Sequence, residues 1–128
     1  MKNYSILIVD PEKMFRKWLM DALSEDGFQQ VSSVASGSEA IDFMGKAQPA
    51  LVIMELDIPD MDGLKTLEKI KERYPDTTVI IVTAHGTPES ATNALRLGAY
   101  DYISKPFLIK ELVLVIKKAL MRSQDREQ

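Results

Sequence analysis

Short apolar runs recur along this chain at intervals, and they constrain its fold more than any other feature. The central run, Leu51–Met54, shows no alternation of polar and apolar residues. Such a run is typical of a strand covered on both faces, as in the middle of a parallel sheet. By the same reasoning, strands are predicted at Ser5–Val9 and at residues 28–34, 78–82 and 100–103.

The stretches between these runs carry apolar residues at helical spacing. Helices are predicted at residues 12–23, 38–46, 64–74, 88–97 and 107–121. Strands that alternate with helices predict an α/β fold with a doubly wound parallel sheet. With 128 residues the chain can bury an ordinary core as one domain. We expect the core to span residues 5–121, with a polar tail after it.

Composition excludes several classes of function. The net charge of −3 provides no basic surface for nucleic acids or anionic membranes. The absence of cysteine excludes disulfides, thiolate catalysis and cysteine metal sites. The first apolar run is too short for a signal peptide or a membrane span. We therefore expect a cytoplasmic protein that contacts neither nucleic acid nor membrane.

Polar residues stand where four of the predicted strands end, at Asp10, Glu55, Thr83 and Lys105. Parallel strands place these ends at one edge of the sheet, where open α/β sheets bind ligands. Two carboxylates could hold Mg²⁺, and a hydroxyl and an ammonium could bind phosphoryl oxygens. Each residue alone has an ordinary structural explanation, so the prediction of a site depends on their joint occurrence.

Several segments match one known family: residues 6–10, 51–63, 82–84, 98–102 and 105–107. With them the chain resembles the receiver domains of two-component response regulators, from residue 5 to about residue 120. The resemblance implies a flavodoxin-like (βα)5 fold with strand order 2-1-3-4-5. It also implies a cis peptide bond between Lys105 and Pro106.

In that family, an aspartate at the end of the third strand accepts a phosphoryl group from a histidine kinase. By position, Glu55 stands at this phosphoacceptor site in the present chain. Thr83 and Lys105 match the switch hydroxyl and the lysine that contact the phosphoryl oxygens. Tyr102 matches the aromatic residue that reorients on activation.

The same resemblance implies a Mg²⁺ site made by Asp10, Glu55 and the backbone carbonyl of Asp57. Two residues differ from the family pattern and put Mg²⁺ binding and phosphorylation in doubt. Pro11 replaces the second acid after the first strand, so Mg²⁺ binding is expected to be weak or absent. Glutamate also extends the acceptor by about 1.5 Å, and a misplacement of ~1 Å can slow a reaction ~100-fold. We expect impaired phosphorylation and no enzymatic function beyond residual phosphoacceptor activity.

Three interpretations remain open. The first is a receiver-like module that acts by binding partners. In one form of this hypothesis the protein is phosphomimetic: Glu55 pairs with Lys105 and biases the domain toward its active state. One charge and two oxygens imitate a phosphoryl group only in part, so full mimicry is not expected. The second is a receiver that still accepts phosphate on Glu55 with Mg²⁺. The third, a nucleotide or flavin binder, lacks a glycine-rich loop after the first strand.

The expected partners are a histidine kinase or another signalling protein. The resemblance also implies a homodimer through the fourth helix, the fifth strand and the fifth helix. The last helix has a broad apolar stripe, which is explained equally by burial and by a partner surface. Phe15 and Trp18 are predicted to lie in the core.

Overall fold

The computed structural model describes residues 4–127. Over this range a parallel sheet of five strands has the order β2-β1-β3-β4-β5. The strands are β1 (Ser5–Val9), β2 (Gln30–Val34), β3 (Leu51–Met54), β4 (Thr78–Thr83) and β5 (Asp101–Ser104). The predicted doubly wound sheet and its strand order are therefore confirmed.

A helix follows each strand, as the alternating pattern predicted. The helices are α1 (Lys13–Glu25), α2 (Gly37–Lys46), α3 (Gly63–Arg73), α4 (Pro88–Arg96) and α5 (Ile109–Glu127). The predicted N-cap of α4 is present, because the Thr87 side chain accepts a hydrogen bond from the backbone N–H of Ser90. The end of α5 predicted near residue 121 is wrong. The stretch after it contains neither glycine nor proline, so nothing in its sequence interrupts a helix.

The sheet is covered on both faces, which explains the unbroken apolar runs. Alternate residues of β1 face opposite sides, Ile6 and Ile8 toward one and Leu7 and Val9 toward the other. All four residues of β3 are buried, and each such side chain contributes roughly 1.5–3 kcal/mol. One layer packs α1 and α5 against the sheet, through Leu19, Leu23, Leu112 and Ile116. The other layer packs α2, α3 and α4, through Ala40, Met44, Leu67, Ile70 and Ala94.

The prediction that Trp18 belongs to the core is wrong. Leu19 and Leu23 form the buried stripe of α1, one helical turn apart, and Trp18 lies beside that stripe with 46% of its surface exposed. Phe15 is half-buried. Most of the broad apolar stripe predicted for the last helix packs against the sheet, and its exposed member is Leu108, which directly precedes α5; Leu114, on the opposite side of the helix, is exposed as well.

Candidate functional site

Four side chains meet at the carboxyl edge of the sheet. Asp10 follows β1, Glu55 follows β3, Thr83 ends β4, and Lys105 follows β5. Asp10, Glu55 and Thr83 are each less than a tenth exposed. Polar groups buried to this degree need hydrogen-bond partners, because their desolvation is otherwise costly.

Lys105 connects the two acids. Its Nζ donates to Asp10 Oδ2 at 2.7 Å and to Glu55 Oε1 at 3.1 Å. The backbone N–H of Lys105 also donates to the carbonyl of Thr83 at 2.9 Å. The Lys105–Pro106 peptide bond is cis, as the resemblance implied. The lysine thus provides one positive charge that is shared between two buried carboxylates.

The remaining carboxylate oxygens are also hydrogen-bonded. Asp10 Oδ1 accepts from the backbone N–H of Glu12 at 2.8 Å. Glu55 Oε2 accepts from the backbone N–H of Asp57 at 3.1 Å. Each of the four oxygens therefore has a donor supplied by the protein itself. The Asp57 side chain is exposed, and Asp57 contacts Glu55 through its backbone N–H.

These contacts shift the pKa values of Glu55 and Lys105. Burial raises the pKa of Glu55, but hydrogen bonds with the Thr83 hydroxyl, the Asp57 N–H and Lys105 outweigh it and hold this pKa below the usual value. Burial lowers the pKa of Lys105, but its bonds to Asp10 and Glu55 outweigh that effect and raise it. Both groups therefore stay charged at neutral pH.

Thr83 is connected to the loop that follows β4. Its Oγ1 accepts from the backbone N–H of His85 at 3.2 Å. The His85 side chain is exposed, as expected for a loop residue.

Tyr102, the predicted switch aromatic, points toward the start of α4. Its hydroxyl lies 2.9 Å from Ser90 Oγ. Ser90 also accepts from the backbone N–H of Thr87 at 2.9 Å, so the tyrosine is joined to the cap of α4. Gly86 leaves space for this hydroxyl, since a Cβ at Gly86 would overlap it.

The loop after Glu55 is fixed by contacts that the sequence did not reveal. Asp60 Oδ1 accepts from the backbone N–H of Gly37 at 2.9 Å, and Oδ2 accepts from that of Ser38 at 3.0 Å. Gly63 approaches the backbone of Leu56 so closely that a Cβ there would lie 2.5 Å from Leu56 Cα. The loop is therefore held against the N-termini of α2 and α3. No local sequence signal pairs Asp60 with α2.

An aromatic cluster, formed by Phe15, Trp18 and Phe107, lies next to the acidic edge and was also missed. Lys105 Nζ lies 4.0 Å from the centroid of the Phe15 ring. The cluster borders a recess of about 470 Å³ that is also lined by Ala84, Lys105 and Pro106. Helical spacing alone does not show which side of α1 faces the segment that follows β5. Phe15 faces that segment and is still packed against the core, whereas Trp18 is not in the core.

The side chains available to a divalent cation at the sheet edge are two carboxylates. Asp10 and Glu55 are the acids at the sheet edge, and Lys105 already engages both. Among residues 4–127 there is no cluster of three or more acidic, histidine or cysteine side chains that could hold a metal ion. Mg²⁺ is usually held by one or two carboxylates together with water, so Lys105 would have to give way before Asp10 and Glu55 could hold it.

Within the described part of the chain, no helix combines the length and the hydrophobicity needed to cross a membrane.

Comparison with known proteins identifies relatives of this chain. Residues 6–117 match the family described as "Response regulator receiver domain". An NtrX-like response regulator from Rickettsia felis is 39% identical over 121 residues, which cover 93% of this chain and 25% of that protein. The chain therefore spans about a quarter of the length of the curated relatives it matches.

Solved structures show the same fold. A CheY-like receiver domain protein from Methanospirillum hungatei superimposes with a TM-score of 0.93 at 27% identity, covering 97% of this chain and 98% of that one. The beryllofluoride-activated NtrC4 receiver domain dimer superimposes with a TM-score of 0.87 at 31% identity, covering 96% of this chain and 99% of that one.

Proposed function

This chain belongs to the response regulator receiver domain family of signalling modules, and from this premise we propose that it acts through protein–protein contacts with ordinary control by phosphorylation impaired. One observation carries the proposal. Lys105 lies between Asp10 and Glu55, within hydrogen-bonding distance of both. The positive charge that phosphoryl transfer would require is already committed to the protein's own acids.

The position of Glu55 supports the loss of acceptor function. Its carboxylate is held by the Asp57 N–H on one oxygen and by Lys105 on the other. Attack on phosphorus needs the reacting atoms about 3–3.5 Å apart and aligned. A side chain that is about 1.5 Å longer than aspartate and is held at both oxygens is poorly placed for this geometry.

Competition between Lys105 and Mg²⁺ for the same carboxylates supports the same proposal. Mg²⁺ would have to displace Lys105 from Asp10 and Glu55, and Pro11 offers no second acid to compensate. Phosphoryl transfer depends almost entirely on positioning and charge neutralisation. A receiver that lacks both is expected to signal by the surface it presents.

The partners that fit this role are a histidine kinase or another signalling protein, and a second copy of the chain. Similarity to the NtrC4 receiver domain dimer supports a homodimer. Its proposed face consists of α4, β5 and α5, where Leu95 is exposed on α4.

A second candidate is a partial phosphomimetic. Glu55 reaches Lys105 and interacts with the Thr83 hydroxyl, which are the groups expected to contact a phosphoryl group. A single negative charge replaces about two, so this contact is expected to shift a two-state equilibrium only in part. Glu55→Gln, which removes the charge, would then change partner binding without any phosphodonor.

The test is an amide NMR titration with Mg²⁺, followed by Mg²⁺ with beryllofluoride. We expect millimolar additions to leave Glu55, Thr83, Tyr102 and Lys105 unshifted. The matched control is the double variant Glu55→Asp with Pro11→Asp, which restores the family's acids and should respond. Saturable shifts in the unmodified protein would overturn the proposal and support a receiver that still uses Mg²⁺ and Glu55.

A further inference from the structure

We propose that Phe15 is a positioning residue for Lys105, and that its ring face holds the ammonium in the acidic pocket. The inference depends on the proposed function, in which Lys105 engages both Asp10 and Glu55 and competes with a metal for them. It adds a residue of α1 to a site whose other residues all lie at strand ends.

The ammonium has three N–H donors. Two are directed at carboxylates, to Asp10 Oδ2 at 2.7 Å and to Glu55 Oε1 at 3.1 Å. The Phe15 ring lies on a further side, with its centroid 4.0 Å from Nζ. A cation within about 6 Å of a ring centroid is attracted by the negative face of the ring.

Exclusion of water strengthens this contact. Only 15% of the Lys105 side chain is exposed, so the ring replaces part of the ammonium's hydration shell. Attraction between a cation and a ring is greater when the cation is desolvated than when it is exposed. An aliphatic side chain at position 15 would fill similar space but would offer no such face.

The ring is itself fixed by two neighbours. Trp18 lies 5.8 Å from Phe15 between centroids, at an interplanar angle of 41°, and Phe107 lies 6.3 Å away at 78°. Trp18 and Phe107 also contact each other at 5.8 Å. Because Phe107 follows Lys105 closely in the chain, the aromatic cluster joins α1 to the segment that carries the lysine.

The experiment uses NMR of the Lys105 side chain, assigned by the loss of its signals in Lys105→Arg. In the unmodified protein we expect the ε-methylene protons to be shifted upfield by the Phe15 ring current. In Phe15→Leu this shift should disappear, and the ammonium protons should exchange about tenfold faster with water. Phe15→Tyr, which keeps a ring face, should restore both properties.

Trp18→Leu is the matched control, since it removes an aromatic ring from the same cluster without removing the one that faces Lys105. It should retain most of the upfield shift and of the slow exchange, because Phe107 still contacts the Phe15 ring. If Phe15→Leu keeps slow ammonium exchange, Phe15 only packs and the inference is wrong. If Phe15→Leu does not fold, the test is the ring-current shift of the Lys105 ε-methylene protons in the unmodified protein. The absence of that shift overturns the inference.

These outcomes are separable from those of the proposed function. Failure of Phe15 to hold the ammonium would leave the contacts of Lys105 with Asp10 and Glu55 untouched. Conversely, strong Mg²⁺ binding would overturn the proposed function, while the ring-current shift measured without metal would still establish the contact with Phe15.

Discussion

The ammonium of Lys105 donates to Glu55 Oε1 at 3.1 Å, so the acid that ends β3 reaches the lysine that follows β5 directly. The same ammonium contacts Asp10 at 2.7 Å. The pocket therefore contains its own cation. In the function we propose, this internal ion pair takes the place of a bound metal and phosphoryl group.

Removal of the Lys105 charge should destabilise the fold. Lys105→Met keeps most of the length of the side chain but leaves two buried carboxylates without their cation, at an expected cost of about 1–3 kcal/mol. Urea unfolding measures this loss. The matched control is Lys117→Met, which breaks the more exposed ion pair with Asp26 and should cost at most about 1 kcal/mol. Equal losses in the two variants would contradict the assigned role of Lys105.

The pH dependence of stability should follow from the same pair. The pKa of Glu55 lies below its ordinary value of 4.5, so its stabilisation is present above that pH and is lost as pH falls through the folded pKa. The pKa of Lys105 lies above its ordinary value of 10.5, so its contribution is complete below that pH and is lost as pH rises further. The difference in unfolding free energy between the unmodified protein and Lys105→Met should therefore be constant near neutral pH and shrink below pH 4.5. A difference that grows in acid would refute the prediction.

Asp60 should hold the acceptor loop to α2. Hydrogen bonds from the hydroxyl and N–H of Ser38 and from the N–H of Gly37 keep the pKa of Asp60 below its ordinary value of 3.8. Asp60→Ala should speed hydrogen exchange at the amides of Gly37 and Ser38, because both lose their acceptor. Asp57→Ala removes an exposed carboxylate of the same loop and is the control. Unchanged exchange in Asp60→Ala would show that the contact does not restrain the loop.

Gly86 should be required for the position of Tyr102. A Cβ at Gly86 overlaps the tyrosine hydroxyl, so Gly86→Ala should displace the ring and break its contact with Ser90. Gly45→Ala is the control, because nothing lies within 4 Å of a Cβ there. In a helix that change should stabilise by about 0.5–1 kcal/mol. The Tyr102 ring signals in NMR spectra report the result, and an unshifted ring in Gly86→Ala would contradict this account.

Much of the fold could be predicted because its signals are local. The unbroken apolar run of β3 indicates a strand covered on both faces, and the helical spacing of apolar residues on either side of it indicates helices. Both patterns can be read without knowing which elements pack together. The positions of Glu55 and Lys105 at strand ends followed from the same pattern. The parallel sheet then brings these ends to one edge.

The features that could not be predicted depend on contacts between distant parts of the chain. The bond from Gly37 to Asp60 and the approach of Phe15 to Lys105 join segments that the sequence does not pair. Helical spacing identified the apolar residues of α1 but not the rotation of the helix about its axis. For that reason Trp18 was assigned to the core although it lies at its edge.

The most direct test of the central claim is intact-mass measurement after incubation with a small-molecule phosphodonor and Mg²⁺. We expect no phosphorylated species for the unmodified protein, and a phosphorylated species for the variant that combines Glu55→Asp with Pro11→Asp. Phosphorylation of the unmodified protein that requires Mg²⁺ and disappears in Glu55→Gln would contradict this expectation. Glu55 would then be a working phosphoacceptor, and its contact with Lys105 would be only a resting state.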